Sequence, residues 1–344
     1  MFPVGIPGNE SSPEVYLEYH IGKNLWKYCS PVMIVLGTIG NIFSIVVLLQ
    51  KSMRRQTTVM YLVALSFNDM AVLYIGLLRY WILATFEIDV RHFSEFLCKV
   101  HIWLVYVTVD TSAWILVVVS FERLALVWYP HITKSVCTRT TAISILVAVV
   151  GTLMLINSHI MYGIGDVTKD ENNQTTLLQC FFEHEDYQRF YVSIWPWVDL
   201  AKFNAIPFSI ILFCNICILS NLYKRKQKLN TAVAPQGIKK SKVQSLTITL
   251  IALNTTFLIS STPVSIYLAF YETFSADTSS YTTARLVLAW AITNLVMFMN
   301  NTINFLLYCV GGENFRRECR RLLTRLKGQP GSEATVMQST LVEN

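Results

Sequence analysis

Seven times along this chain an apolar run of about twenty residues recurs, the length that carries a helix across the core of a bilayer. The runs cover 25–50, 58–86, 95–128, 140–162, 193–222, 241–270 and 282–310. The segments between them are short. The pattern therefore predicts an all-α membrane protein: one seven-transmembrane helix bundle over 25–310, preceded by a tail at 1–24. After the seventh run, ENFRRECRRLLTRLK (313–327) lines up Phe315, Cys319, Leu322 and Leu326 on one helical face, with six basic residues around the rest. Such a stretch predicts a short amphipathic helix in the membrane interface, assigned to 311–328. A polar, disordered cytoplasmic tail is expected at 329–344.

Composition agrees with that solvent. The chain is 53% hydrophobic and 15% charged, whereas soluble domains carry roughly a quarter charged residues. Charge also sets the orientation. The stretches after runs one, three, five and seven hold most of the lysines and arginines, while the opposite loops carry acids such as Glu87, Asp89, Asp170, Glu183 and Asp186. By the positive-inside rule the N-terminus lies outside and the C-terminus in the cytoplasm. The net charge of +6 then suits anionic inner-leaflet lipid and not nucleic acid. Residues 1–23 lack an apolar core, so no cleavable signal peptide is expected. Asn9 and Asn173 sit in sequons on the outside and are the expected glycosylation sites. Of eight cysteines, Cys98 and Cys180 are the two on the outer side that can meet. A disulfide between them is expected, two free thiols being the alternative.

Run three ends on Glu122 and Arg123, charges at odds with lipid. From Cys98 the helix rises roughly 37 Å to Arg123 at about 1.5 Å per residue, so the pair sits at the cytoplasmic exit. Seven spans, a cysteine opening span three and Glu-Arg closing it resemble the rhodopsin-like G-protein-coupled receptors. Gly40-Asn41, Leu65 and Asp69 of LSFND, Pro207, Phe257 and Pro263 of FLISSTP, and Asn304 and Tyr308 of NFLLY match in order. There are departures. Leu124 replaces the family's aromatic, span four lacks its tryptophan, and Asn215 replaces a tyrosine. Ser260-Ser261 replace Cys-Trp, Phe305 replaces a proline, and apolar Val243 stands where many relatives keep an acid.

The resemblance implies a plasma-membrane receptor that binds an extracellular ligand and activates a heterotrimeric G protein, with arrestin as a further partner of a tail holding Ser332, Thr335, Ser339 and Thr340. It implies a switch in which Glu122 pairs with Arg123 at rest and Pro263 supplies the joint in span six, with Asn304 and Tyr308 taking part. It implies a sodium pocket of Asp69, Ser112, Asn300 and Asn304, oxygen donors suited to a hard cation; a water-bridged polar cluster is the alternative. No other cofactor is expected. Cys319 is a palmitoylation candidate, with a plain buried thiol as the alternative. With Val243 offering no lock for Arg123, basal signalling above that of mock cells is expected.

For the ligand, the absence of lysine from span seven argues against a retinal-binding opsin, and Val105 argues against an amine receptor. The outer halves hold Arg79, Tyr106, Asp199, Lys202, Tyr267, Trp290 and Asn294. Mixed charge among aromatics suits a short amphipathic peptide. NFLLY with Glu-Arg-Leu is similar to invertebrate neuropeptide receptors of the FMRFamide and myosuppressin type. A small-molecule chemosensory receptor of the same fold stays open. Arg79 needs an anionic partner, and Asp110 is the internal candidate. No internal repeat points to a transporter, no catalytic motif to an intramembrane enzyme and no pore-lining stripe to a channel.

Overall fold

The computed structural model describes residues 12–54, 56–129, 133, 135–171, 174–231 and 242–326. Seven helices are long and apolar enough to span a membrane: α1 (Leu17–Leu48), α2 (Thr57–Phe86), α3 (Glu95–Trp128), α4 (Arg139–Gly163), α5 (Glu185–Asn221), α6 (Lys242–Ala269) and α7 (Ser280–Gly311). An eighth, α8 (Glu313–Leu326), follows at Gly312. Between α4 and α5 the chain forms an antiparallel hairpin, β1 (Ile164–Glu171) with β2 (Gln174–Phe182).

Helix α1 starts eight residues before the expected boundary at 25. The polar first turns LEYHIGKN hide that start from an apolar count, yet Gly22 and Trp26 are buried there against the bundle. Helix α5 likewise begins ahead of position 193, and it widens into π-type turns at Phe190–Ile194 and Leu200–Ala205. Such turns re-aim the side chains that follow, here around Trp195, Asp199 and Lys202. Asn9, Asn173 and the Ser/Thr-bearing tail at 329–344 lie outside the described residues, as does the side chain of Val243.

Small residues let α1 lie close along α7. A Cβ on Gly22 would stand 3.2 Å from the Leu288 Cα, and one on Gly40 3.1 Å from the Phe305 Cβ. At Gly37 a Cβ would run into Leu73 and lie 3.3 Å from the Thr302 Cα. Close approach of this kind holds membrane helices together where no hydrophobic drive exists. Gly37→Val is expected to lower the stability by about 1–3 kcal/mol through overpacking, read as a fall in the thermal midpoint of the purified protein.

The interior is filled by Tyr308, Phe298, Leu62, Leu65, Ile115, Ile211 and Leu253, all essentially without exposure. Helix α4 contributes little to it, with only Ala142 and Leu153 of its main stretch buried. On α8, Phe315 and Cys319 turn inward onto the same core. Burial pushes the Cys319 thiol up to about 12, which keeps it in the thiol form.

Candidate functional site

A cavity of about 290 Å³ opens at the bundle end where α1 begins. Arg79, Tyr106, Asp199, Tyr267, Trp290 and Asn294 all line it. The walls are aromatic: Tyr80 stacks on Trp26 with centroids 4.2 Å apart, and Tyr267 packs on Trp290 at 5.5 Å. The hydroxyls of Tyr106 and Tyr191 are 2.8 Å apart across the α3–α5 side. Cys98 and Cys180 are bonded, with a Cα separation of 5.4 Å, which ties β2 to the start of α3. The Cys180 backbone is left-handed (φ 57°), and its N–H donates to Asp166 Oδ1 at 2.9 Å. Lys99 bridges Glu95 and Glu183 at 2.6 and 2.8 Å, a second tether for the hairpin.

The ionised groups arrange themselves differently from the sequence expectation. Arg79 does not meet Asp110. Helix α2 ends at Glu87 in the left-handed conformation, and the chain turns back so that Asp89 caps a short 3-10 turn, Val90–Phe93. Arg79 donates to Asp89 through Nε at 2.9 Å and Nη2 at 2.6 Å, and Arg91 Nη2 donates to the same carboxylate at 2.7 Å. Asp110 instead takes Lys202 Nζ and Asn157 Nδ2, the latter at 2.8 Å. Lys202 also lies 3.1 Å from Asp199 and 3.1 Å from Asn157 Oδ1. Among the cavity's described lining residues Lys202 is absent: it stands behind the wall, locked between carboxylates. Arg91, His101, Asp110, Tyr191 and Tyr271 line the cavity without having been singled out as ligand contacts.

Burial alone would push the Asp89 carboxyl up, but the hydrogen bonds from Arg79 and Arg91 outweigh it and hold the group well below its usual range. A depressed folded-state value adds stability above the unfolded carboxylate value, and that stability is lost only as pH falls through the depressed one. The stability gap between wild type and Asp89→Asn should therefore stay constant from about pH 8 to pH 5 and begin to narrow only below about pH 4, in thermal unfolding followed across pH.

Below the cavity lies a polar core. Asp69, fully buried, accepts from Asn301 Nδ2 at 2.8 Å and Asn304 Nδ2 at 2.6 Å. Ser112 Oγ accepts from Asn68 at 2.8 Å and Asn301 at 3.5 Å, and Asn41 donates to the Asn301 carbonyl at 2.9 Å. Asn300 makes no hydrogen bond to Asp69 among the described residues; Asn301, one step along α7, makes it instead. Asn300 lines a void of about 10 Å³ together with Ser112, Ser260, Ser261 and Asn301, its Oδ1 unpartnered. Each carboxylate oxygen of Asp69 accepts from one amide donor and keeps a further lone pair, so the group retains oxygen donors of the kind a hard cation takes.

At the opposite end Glu122 and Arg123 are buried, but no hydrogen bond or ion pair joins them among the described residues. Neighbours on a helix point about 100° apart. Glu122 accepts from Thr58 Oγ1 on α2, while Arg123 Nε and Nη2 have no hydrogen-bond partner and feel the adjacent Glu122 only through its charge. Near them Asn254 of α6 donates to Ser120 Oγ of α3 at 3.0 Å and to Asn215 Oδ1 of α5 at 3.4 Å. Pro263 lies inside α6, where it leaves a carbonyl of the preceding turn without its helical donor. Tyr308 packs on Phe315 at 5.4 Å, joining α7 to α8.

Residues 40–308 match the family of the 7 transmembrane receptor (rhodopsin family). The chain belongs to this family. The cysteinyl leukotriene receptor 1 of Cavia porcellus is 26% identical over 290 residues, 82% of this chain and 79% of that one. The C-C chemokine receptor type 8 of Mus musculus is 27% identical over 306 residues, covering 84% and 76%. The B1 bradykinin receptor of Macaca fascicularis is 24% identical over 326 residues, covering 92% and 86%. In this rhodopsin-family receptor Ser261, where the family's tryptophan would stand, accepts from Asn204 Nδ2 of α5 at 2.9 Å, and one turn away Phe257 meets Phe203 of α5 edge-on, 5.7 Å between centroids.

Proposed function

We propose that this receptor sits in the plasma membrane with its N-terminus outside, takes a short peptide in the cavity at that end, and answers by opening its other face to a heterotrimeric G protein. One observation carries the reading. An aromatic-walled cavity with ionised groups of both signs occupies one end of the bundle, and a buried arginine without hydrogen-bond partners on Nε and Nη2 occupies the other. The mixed lining favours a peptide, and the resemblance to FMRFamide and myosuppressin receptors points the same way. The relatives above are named for a leukotriene, a chemokine and bradykinin, and so do not choose among ligands. A small-molecule ligand is the second reading, favoured by the cavity's modest volume, at the low end of the roughly 300–1,000 Å³ of such sites.

Ligand and G protein act as two binders that favour the same open state. The resting state is held in part by the Asn254 hydrogen bonds, which tie α6 to α3 and α5 near the Arg123 level. Arrestin binding to a phosphorylated tail belongs to the same proposal.

The test is G-protein activation in cells expressing the chain, with a library of neuropeptides, amidated and with free carboxylates, and several Gα reporters. A peptide should raise the signal through the intact chain and not through Arg123→Ala at equal surface expression. If only small molecules activate it, the peptide reading is overturned. Asn254→Ala removes two buried bonds together worth about 1 kcal/mol and should raise the basal signal about fivefold; an unchanged baseline would exclude this lock.

A further inference from the structure

The ionised groups around the cavity do not cancel locally. At the rim two guanidiniums, Arg79 and Arg91, share the single carboxylate of Asp89. One positive charge is in surplus there, and Arg91 lines the cavity with the more exposed side chain of the two. Deeper, two carboxylates, Asp110 and Asp199, share the single ammonium of Lys202. One negative charge is in surplus there. The ammonium is directed at Asp110, which Asn157 also serves. Asp199 keeps only the 3.1 Å approach of Lys202, with no hydrogen bond to its Oδ1, although the residue is 7% exposed and lines the cavity. Asp199 and Arg91 both line the one cavity, so the two surplus charges face one shared space.

A buried carboxylate without full compensation costs several kcal/mol, and a ligand cation seated on it removes that cost. The same holds with opposite sign for the rim guanidiniums, whose planar donors suit a carboxylate. We infer that the cavity is built for a ligand carrying both charges: a guanidinium or ammonium group on Asp199, and a carboxylate on Arg91. This rests on the cavity being the ligand site. It goes further in naming the ligand's chemistry and in giving Lys202 a supporting role: it partly neutralises Asp110, so that the surplus falls on Asp199.

A charge cycle tests it. The purified full-length protein in lipid nanodiscs is titrated with four probes: N-acetyl-leucyl-arginine, its C-terminal amide, N-acetyl-leucyl-citrulline and that peptide's amide. Citrulline keeps the shape of arginine without its charge. Apparent affinity is read from the rise in thermal midpoint. The doubly charged probe should bind best, and removing either charge should weaken it about tenfold or more, the scale of a lost buried charge contact. Asp199→Asn should erase the advantage of arginine over citrulline, which Asp199→Glu keeps. Arg91→Gln should erase the advantage of the free carboxylate. Equal binding of all four probes, advantages that survive both substitutions, or no shift with any probe in the millimolar range would overturn the inference. Because the readout needs no G protein, a chain that binds these probes in the stated order while no peptide drives nucleotide exchange would overturn the coupling proposal and leave this one standing.

Discussion

Lys202→Ala should cost the folded protein about 3–5 kcal/mol, the penalty for removing one partner from a buried ionic cluster. Asp110 is 1% exposed and Asp199 7%, and both draw their compensation from this one ammonium. Tyr106 and Trp195 would lose a cation held 5.4 and 5.1 Å from their ring centroids. Thermal unfolding of the purified protein gives the size of the loss. A triple variant, Lys202→Met with Asp110→Asn and Asp199→Asn, should recover most of it, because no charge is then left stranded. If the loss came from packing alone, the triple variant would be no more stable than the single one.

The Cys98–Cys180 bond is expected to matter on a similar scale. It closes a loop with a sequence separation of 82, for which loop-entropy reasoning gives about 4 kcal/mol. It also pins β2 beside the cavity. Cys180→Ser should lower the thermal midpoint and the surface level, and ligand response should fall further than surface level alone explains. Cys98→Ser should look the same, and the double variant should be no worse than either single one. Additive losses would mean that the two cysteines act separately and that the bond is not what holds the hairpin.

The seven spans could be read from the chain because lipid imposes a length and a composition on any helix that crosses it. Residues set on a known face by helical spacing, such as Tyr106, Tyr267, Trp290 and Asn294, could be placed near the cavity for the same reason. Contacts that depend on a loop's path could not. Asp89 reaches Arg79 only because Glu87 ends α2 in a left-handed turn, and nothing local in TFEIDVRHF announces that return. Arg91 was missed with it. Single-residue steps were the second source of error. At Asp69 it is Asn301, one step along α7 from Asn300, that donates to the carboxylate, and at the exit of α3 Glu122 takes its hydrogen bond from Thr58 and not from Arg123. The hairpin between α4 and α5 was missed because TKDENNQTT alternates too weakly to read as paired strands.

The measurement that bears most directly on the central claim is nucleotide exchange on a purified heterotrimeric G protein by the chain in nanodiscs, with and without an activating peptide, beside Arg123→Ala. The account predicts exchange above the intrinsic rate with the chain alone, a further rise with peptide, and neither effect with Arg123→Ala at unchanged peptide binding. Exchange that stays at the intrinsic rate across the Gα classes, while the folded chain holds peptide in its cavity, would contradict it.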